Sequence, residues 1–107
     1  MMILEFMFDS SSSRWVKNNV TYNLMLLSSA EGFFNAQLTS SNRVALDEVL
    51  RYLDIPIPPG MGFYGWDKSI NPKAYISFNF RDQIESAQKD NVDHIFIRFE
   101  IPMDNKT

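Results

Sequence analysis

The chain has 107 residues, 45% hydrophobic and 14% aromatic, with no cysteine and a formal net charge of -3. That length supplies one domain, 1–107, able to bury roughly two-thirds of its unfolded surface without a metal or disulfide to help it. An acidic balance (pI near 5.0) with scattered lysines and arginines excludes the basic patch of a nucleic-acid binder, and the lack of cysteine excludes a disulfide framework, a thiolate metal site and a Cys nucleophile.

No apolar run approaches the roughly 18 residues that span a bilayer, so no membrane partner is expected. The segment Met1 to Asp9 is apolar but contains Glu5 and Asp9 and has no basic leader, unlike a signal peptide. A cytoplasmic location is expected, in which the Asn19-Val20-Thr21 and Asn105-Lys106-Thr107 sequons mean nothing.

Met2 to Phe8 alternates, with Leu4, Phe6 and Phe8 on one side and Ile3, Glu5 and Met7 on the other. This predicts a strand over residues 1–9, or an N-terminal arm that packs only in an oligomer. Ser10 to Ser13 is a polar linker whose last serine is placed to cap a helix. The helical part spans 14–53. From Arg14 to about Leu38, Val16, Val20, Leu24 and Leu27 recur at helical spacing, with Phe34 and Leu38 further along the stripe. One continuous helix is expected; a turn at Ala30 to Phe34 is the alternative. Thr39 to Arg43 is a polar connection. Val44 to Leu53 is a short helix with Leu46, Val49, Leu50 and Leu53 on its apolar face and Asp47 and Glu48 in its first turn, where the helix dipole favours them. Pro56, Pro58 and Pro59 end it in a rigid connector.

The β part spans 60–101. Gly60 to Phe80 reads as a hairpin that supplies much of the core: a glycine-rich arm, Gly62 to Trp66, then the alternating strand Ala74 to Phe80. Arg81 to Asn91 is a loop or one to two helical turns. Val92 to Ile101 is the cleanest strand of the chain, and 102–107 is a tail. The fold expected is α+β: one long and one short helix on one face of an antiparallel sheet of about four strands.

Residues able to do chemistry are sparse. His94 is the only histidine and sits beside Asp93 without a nucleophile. Asp47 with Glu48, and Asp90 with Asp93, lack metal-ligand spacing. Gly60-x-Gly62-x-x-Gly65 has the letters of a dinucleotide loop, but a proline run precedes it and no helix follows. No catalytic residue, metal or cofactor is therefore expected, and the protein is not expected to be an enzyme. The glycines are expected to admit close approach of a neighbouring group. In a regular pleat Tyr64 and Trp66 share one side and Phe63 and Gly65 the other. An exposed Tyr64–Trp66 pair would be a protein-contact hot spot, which makes these two the candidate protein-binding residues.

Three stretches carry a resemblance: Val44-Ala45-Leu46-Asp47-Glu48-Val49-Leu50-Arg51-Tyr52-Leu53-Asp54-Ile55-Pro56, then Gly65-Trp66, then Tyr75-Ile76-Ser77-Phe78. They resemble a family of small uncharacterised proteins of bacteriophages, prophages and integrative elements of Gram-positive bacteria. Asp54 stands where that pattern has a glycine after the helix, and Asn79 where it has a glycine in the strand. The resemblance covers about half the chain. It implies a mobile-element accessory protein and no activity, catalytic residue or cofactor.

The function expected is protein–protein binding by a non-enzymatic accessory protein, its partner a host-defence, replication or packaging component. One alternative is a self-assembling structural or connector protein, a homo-oligomer joined through its first and last strands. Another is a small-molecule or nucleotide binder with a pocket between the sheet and the long helix.

Overall fold

The computed structural model describes residues 1–101; the tail expected over 102–107, with the Asn105 sequon, lies outside the described residues. Strand β1 (Met2–Asp9) pairs antiparallel with β4 (His94–Ile101), from Met2 opposite Ile101 to Asp9 opposite His94. The alternation in β4 has the expected consequence: Ile95, Ile97, Phe99 and Ile101 are fully buried, while Phe96, Arg98 and Glu100 face solvent.

Helix α1 (Val20–Ser41) runs unbroken through Gly32. It begins at Val20 and not near Arg14. Asn18 takes a left-handed backbone (φ 60°), and the Asn19 side chain accepts from the N–H of Tyr22 as the helix cap. Val16 lies outside the helix; the side chain of Asn23 accepts from its N–H and donates to its carbonyl. Ser13 is not a cap, and its N–H donates to the Asp54 carboxylate instead. The helix ends at Asn42 (φ 67°), whose N–H reaches back to the Leu38 carbonyl.

The chain then forms β2 (Arg43–Ala45) and α2 (Leu46–Tyr52). The Ala45 N–H donates to Glu48 Oε2 at 2.8 Å, which covers one free donor at the start of α2. Strand β3 (Gly65–Asp67) pairs antiparallel with β2. A 3-10 turn (Arg81–Gln83) and helix α3 (Ile84–Asp90) lead into β4.

The α+β class holds, but the sheet differs from the one expected. Two separate two-stranded antiparallel sheets, β1–β4 and β2–β3, replace a single sheet of about four strands. The expected strand Gly62 to Trp66 shrinks to Gly65–Asp67 and pairs with β2. Residues 74–80 belong to neither sheet, although Ala74, Ile76, Phe78 and Phe80 alternate into the core. Their backbone partners are largely side chains. The Asn35 amide donates to the Ile76 carbonyl and accepts from its N–H, and Glu31 Oε2 accepts from the Phe78 N–H. One backbone bond joins this segment to β4, from the Arg98 N–H to the Phe78 carbonyl.

The core lies between α1, the 74–80 segment and β4. Leu27, Phe34, Ile76, Phe78 and Phe99 fill it, none more than 3% exposed. Phe99 meets Phe78 and Trp66 edge to face, at 5.4 and 5.7 Å between ring centroids. Burial of each such ring contributes about 2–3 kcal/mol.

Candidate protein-binding surface

The structure separates the two aromatic residues singled out in the sequence. Trp66 is buried, 2% exposed, against Phe99. Tyr64 is half-buried and packs on the edge of the core. The regular pleat expected across them fails because β3 starts only at Gly65. Tyr64 precedes it in a turn, its N–H bonded to the Met61 carbonyl and its own carbonyl accepting from Leu46 N–H. Trp66 therefore presents no surface to a partner, and Phe63 is the exposed ring of this stretch.

The glycine that admits close approach is Gly65. A Cβ there would collide with the Val44 carbonyl and stand 2.9 Å from Ala45 Cα. It lets β3 lie flat on β2 and, through β2, positions α2.

A larger solvent-facing feature lies on α1. Tyr22, Met25, Ser29 and Phe33 follow one another at spacings of three, four and four, so they share a face. Tyr22, Met25 and Phe33 are 48%, 64% and 55% exposed. The only charged residue in α1 is Glu31, and it points inward. Its Oε1 lies 2.6 Å from an Arg81 guanidinium nitrogen as an ion pair, without an aligned hydrogen bond. The outer face of α1 thus has no charge along its whole length. A surface helix ordinarily places charged residues there.

The face continues onto α2. The Phe33 ring stacks on Tyr52 at 5.8 Å and 17° and meets Phe34 edge-on. The Arg14 guanidinium covers Tyr52 at 4.4 Å from the ring centroid. A shallow cleft lined by Phe33, Gln37, Glu48, Arg51 and Tyr52 opens at this end. The residues of this face are hidden in the sequence by the stronger apolar stripe that α1 buries. The available signal was a 22-residue helix with one charge.

His94 and Asp93 contact each other, Nδ1 to Oδ1 at 2.8 Å, in an exposed position. That bond is the largest cause holding the Asp93 carboxyl below its ordinary value. Among the described residues, no three His, Asp or Glu side chains converge as a metal site would require. Asp47 pairs with Arg51 across one helical turn at 3.4 Å. Among the described residues, no helix is long and apolar enough to cross a membrane.

No curated protein and no solved structure matches the chain. The sequence profile of a family of unknown function, DUF6353, matches residues 4–106, nearly the whole chain, and the protein belongs to that family.

Proposed function

We propose that this chain is a non-enzymatic accessory protein that acts by binding another protein through the outer face of α1. The observation that carries the reading is the uncharged helix face presenting Tyr22, Met25 and Phe33 to solvent. Large apolar and aromatic side chains make up the centre of a protein interface, and charged groups such as Arg14, Glu48 and Arg51 at the α2 end of this face suit its rim. Isolated exposed apolar residues need no explanation, but three along one uncharged helix face support an interaction site. The resemblance to proteins of phages and integrative elements supports reading the partner as a host-defence, replication or packaging component, met in the cytoplasm of a bacterial host.

The test is capture from a bacterial lysate by the chain and by a variant carrying Tyr22→Glu and Met25→Glu. Tyr22 lies in the first turn of α1, which has no acid there, so the helix dipole favours the charge introduced at that position. The expected result is a specific partner recovered by the unmodified chain and lost from the variant, with the circular dichroism spectrum unchanged. Equal recovery by both proteins removes the face from the proposal.

A further inference from the structure

The two strands of the β1–β4 ribbon are unequally buried. On β4, Ile95, Ile97, Phe99 and Ile101 are 0% exposed. Their register partners on the same side of β1 are Phe8, Phe6, Leu4 and Met2. Only Phe8 is buried, covered by the Trp15 ring at 5.3 Å. Phe6, Leu4 and Met2 remain partly in solvent although they face the core side. Burial thus falls off across the ribbon toward the outer edge of β1.

The backbone points to the same edge. On the side of β4 away from β1, the N–H and carbonyl of Phe96 are both bonded by the Gln83 amide. The Arg98 N–H donates to the Phe78 carbonyl, and its own carbonyl accepts from the Asn79 amide. In an antiparallel ladder the N–H and C=O of one residue point the same way, and alternate residues point opposite ways. Ile95, Ile97, Phe99 and Ile101 therefore bond to β1. On β1, the backbone groups of Ile3, Glu5 and Met7 are left pointing outward. Among the described residues no hydrogen bond reaches them. One edge of the ribbon is closed by amide side chains and the other is open, with Ile3 and Met7 61% and 45% exposed beside it.

We propose that the open edge is occupied by a second copy of this chain, β1 antiparallel to β1, joining two ribbons into one four-stranded sheet. The strand is self-complementary about Leu4. In that register Leu4 opposes Leu4 of the second copy, Met2 opposes Phe6, and Ile3 opposes Glu5. The half-buried side chains then cover one another, and the outward groups of Ile3 and Glu5 exchange hydrogen bonds. Each Glu5 keeps its own Arg98, 3.5 Å away. A shift of the partner strand that centres the pairing on Glu5 sets two carboxylates directly opposite, which destabilises a pair. Charge thus favours the register centred on Leu4 over the one centred on Glu5.

The chain has no cysteine, so the register can be read directly by crosslinking. Residues directly opposite in a non-hydrogen-bonded pair have Cα atoms about 4.5 Å apart, within disulfide reach. Leu4→Cys is expected to give a disulfide-linked dimer on mild oxidation, well ahead of Glu5→Cys. Light scattering of the unmodified chain is expected to show a dimer. Glu5→Pro deletes an outward donor and leaves the β1–β4 ladder intact, and it is expected to weaken the dimer at least tenfold. Ile3→Lys sets a cation opposite Glu5 of the second copy and is expected to tighten it. A strict monomer at high concentration overturns the proposal, as does faster crosslinking through Glu5→Cys. Should Glu5→Pro not fold, the crosslinking pair and Ile3→Lys still decide, because a weaker or unchanged Ile3→Lys dimer also contradicts this register.

Discussion

Asn35 holds Ile76 as a neighbouring strand would. Its amide nitrogen donates to the Ile76 carbonyl at 2.8 Å, and its amide oxygen accepts from the Ile76 N–H at 2.9 Å. A carboxamide carries one acceptor and one donor group in the same relative placement as a peptide, so one side chain of α1 stands in for a strand. Asn35→Ala leaves both backbone groups of a fully buried residue without partners. It is expected to destabilise the fold by about 3 kcal/mol, measured by urea unfolding. Asn35→Asp keeps the acceptor but sets a carboxylate against the Ile76 carbonyl, and is expected to be at least as damaging at neutral pH. A loss below about 1 kcal/mol for either variant contradicts this role.

Glu31 does the same one turn earlier, with a charge. Oε2 accepts from the Phe78 N–H at 2.6 Å, and Oε1 faces Arg81, whose side chain is 57% exposed. The two partners of this ion pair are therefore not equivalent. Glu31→Gln keeps an acceptor for Phe78 and frees an arginine that water can solvate. Arg81→Ala strands a buried carboxylate. Arg81→Ala is expected to cost more than Glu31→Gln, about 3 kcal/mol against about 1. The double variant is expected to cost less than the sum of the two. Additive losses in a double-mutant cycle contradict the pairing.

These two side chains also mark where the fold is legible in the sequence and where it is not. The alternation of Ile76, Phe78 and Phe80 correctly tells which side faces the core. It is silent on what takes the backbone bonds between those residues, because periodicity reports the environment of side chains only. The partners, Asn35 and Glu31, are more than forty positions away, and an asparagine within a helix reads as a weak helix former before it reads as a strand surrogate. The start of α1 is missed for a related reason. Val16 continues the apolar period, while the break comes from the left-handed backbone of Asn18. Among the described residues, all five non-glycine residues with positive φ are Asn or Asp, the types that tolerate that region. Two of them, Asp54 and Asn79, stand where the resemblance has glycines. Each takes the left-handed backbone that a glycine adopts readily, and each makes a side-chain bond: Asp54 accepts from the Ser13 N–H and Asn79 donates to the Arg98 carbonyl. The binding surface is the least legible part. Tyr64 and Trp66 attract attention by residue type, whereas the α1 face is defined by an absence of charge that only the helix geometry gathers onto one side.

Gly65 permits the contact between β2 and β3. A methyl group there meets backbone on two sides, the Val44 carbonyl and Ala45 Cα, and backbone does not yield as a flexible side chain does. Gly65→Ala is expected to cost about 3 kcal/mol, at the upper end for overpacking. The loss should appear as weakened hydrogen-exchange protection in Val44 to Leu46, ahead of the β1–β4 ribbon. By contrast, Gly62 has open space where a Cβ would stand, and Gly62→Ala is expected to leave stability unchanged within about 0.5 kcal/mol. Equal effects at the two glycines contradict the close-approach role of Gly65.

Acid is expected to loosen the surface turns first. The Asp54 carboxyl is held below its ordinary value chiefly by the Ser13 N–H, Asp9 chiefly by the Ser11 hydroxyl, and Asp67 chiefly by the Ser69 hydroxyl. A carboxyl with a folded-state pKa below its unfolded value contributes stability that is fully present above the unfolded value, about 3.9. That contribution is lost as pH falls further, through the folded value. The urea midpoint is therefore expected to stay level in this respect from pH 7 to about pH 5 and to drop below about pH 4. Asp54→Asn tests one contribution by itself. Asparagine tolerates the left-handed backbone at this position (φ 53°) and keeps a carbonyl oxygen for Ser13, but cannot titrate. The unmodified chain is expected to be the more stable at pH 7, with the difference shrinking toward pH 3. A gap that stays constant over that range shows that the Asp54 charge contributes nothing to the tie between α2 and the Ser13 turn.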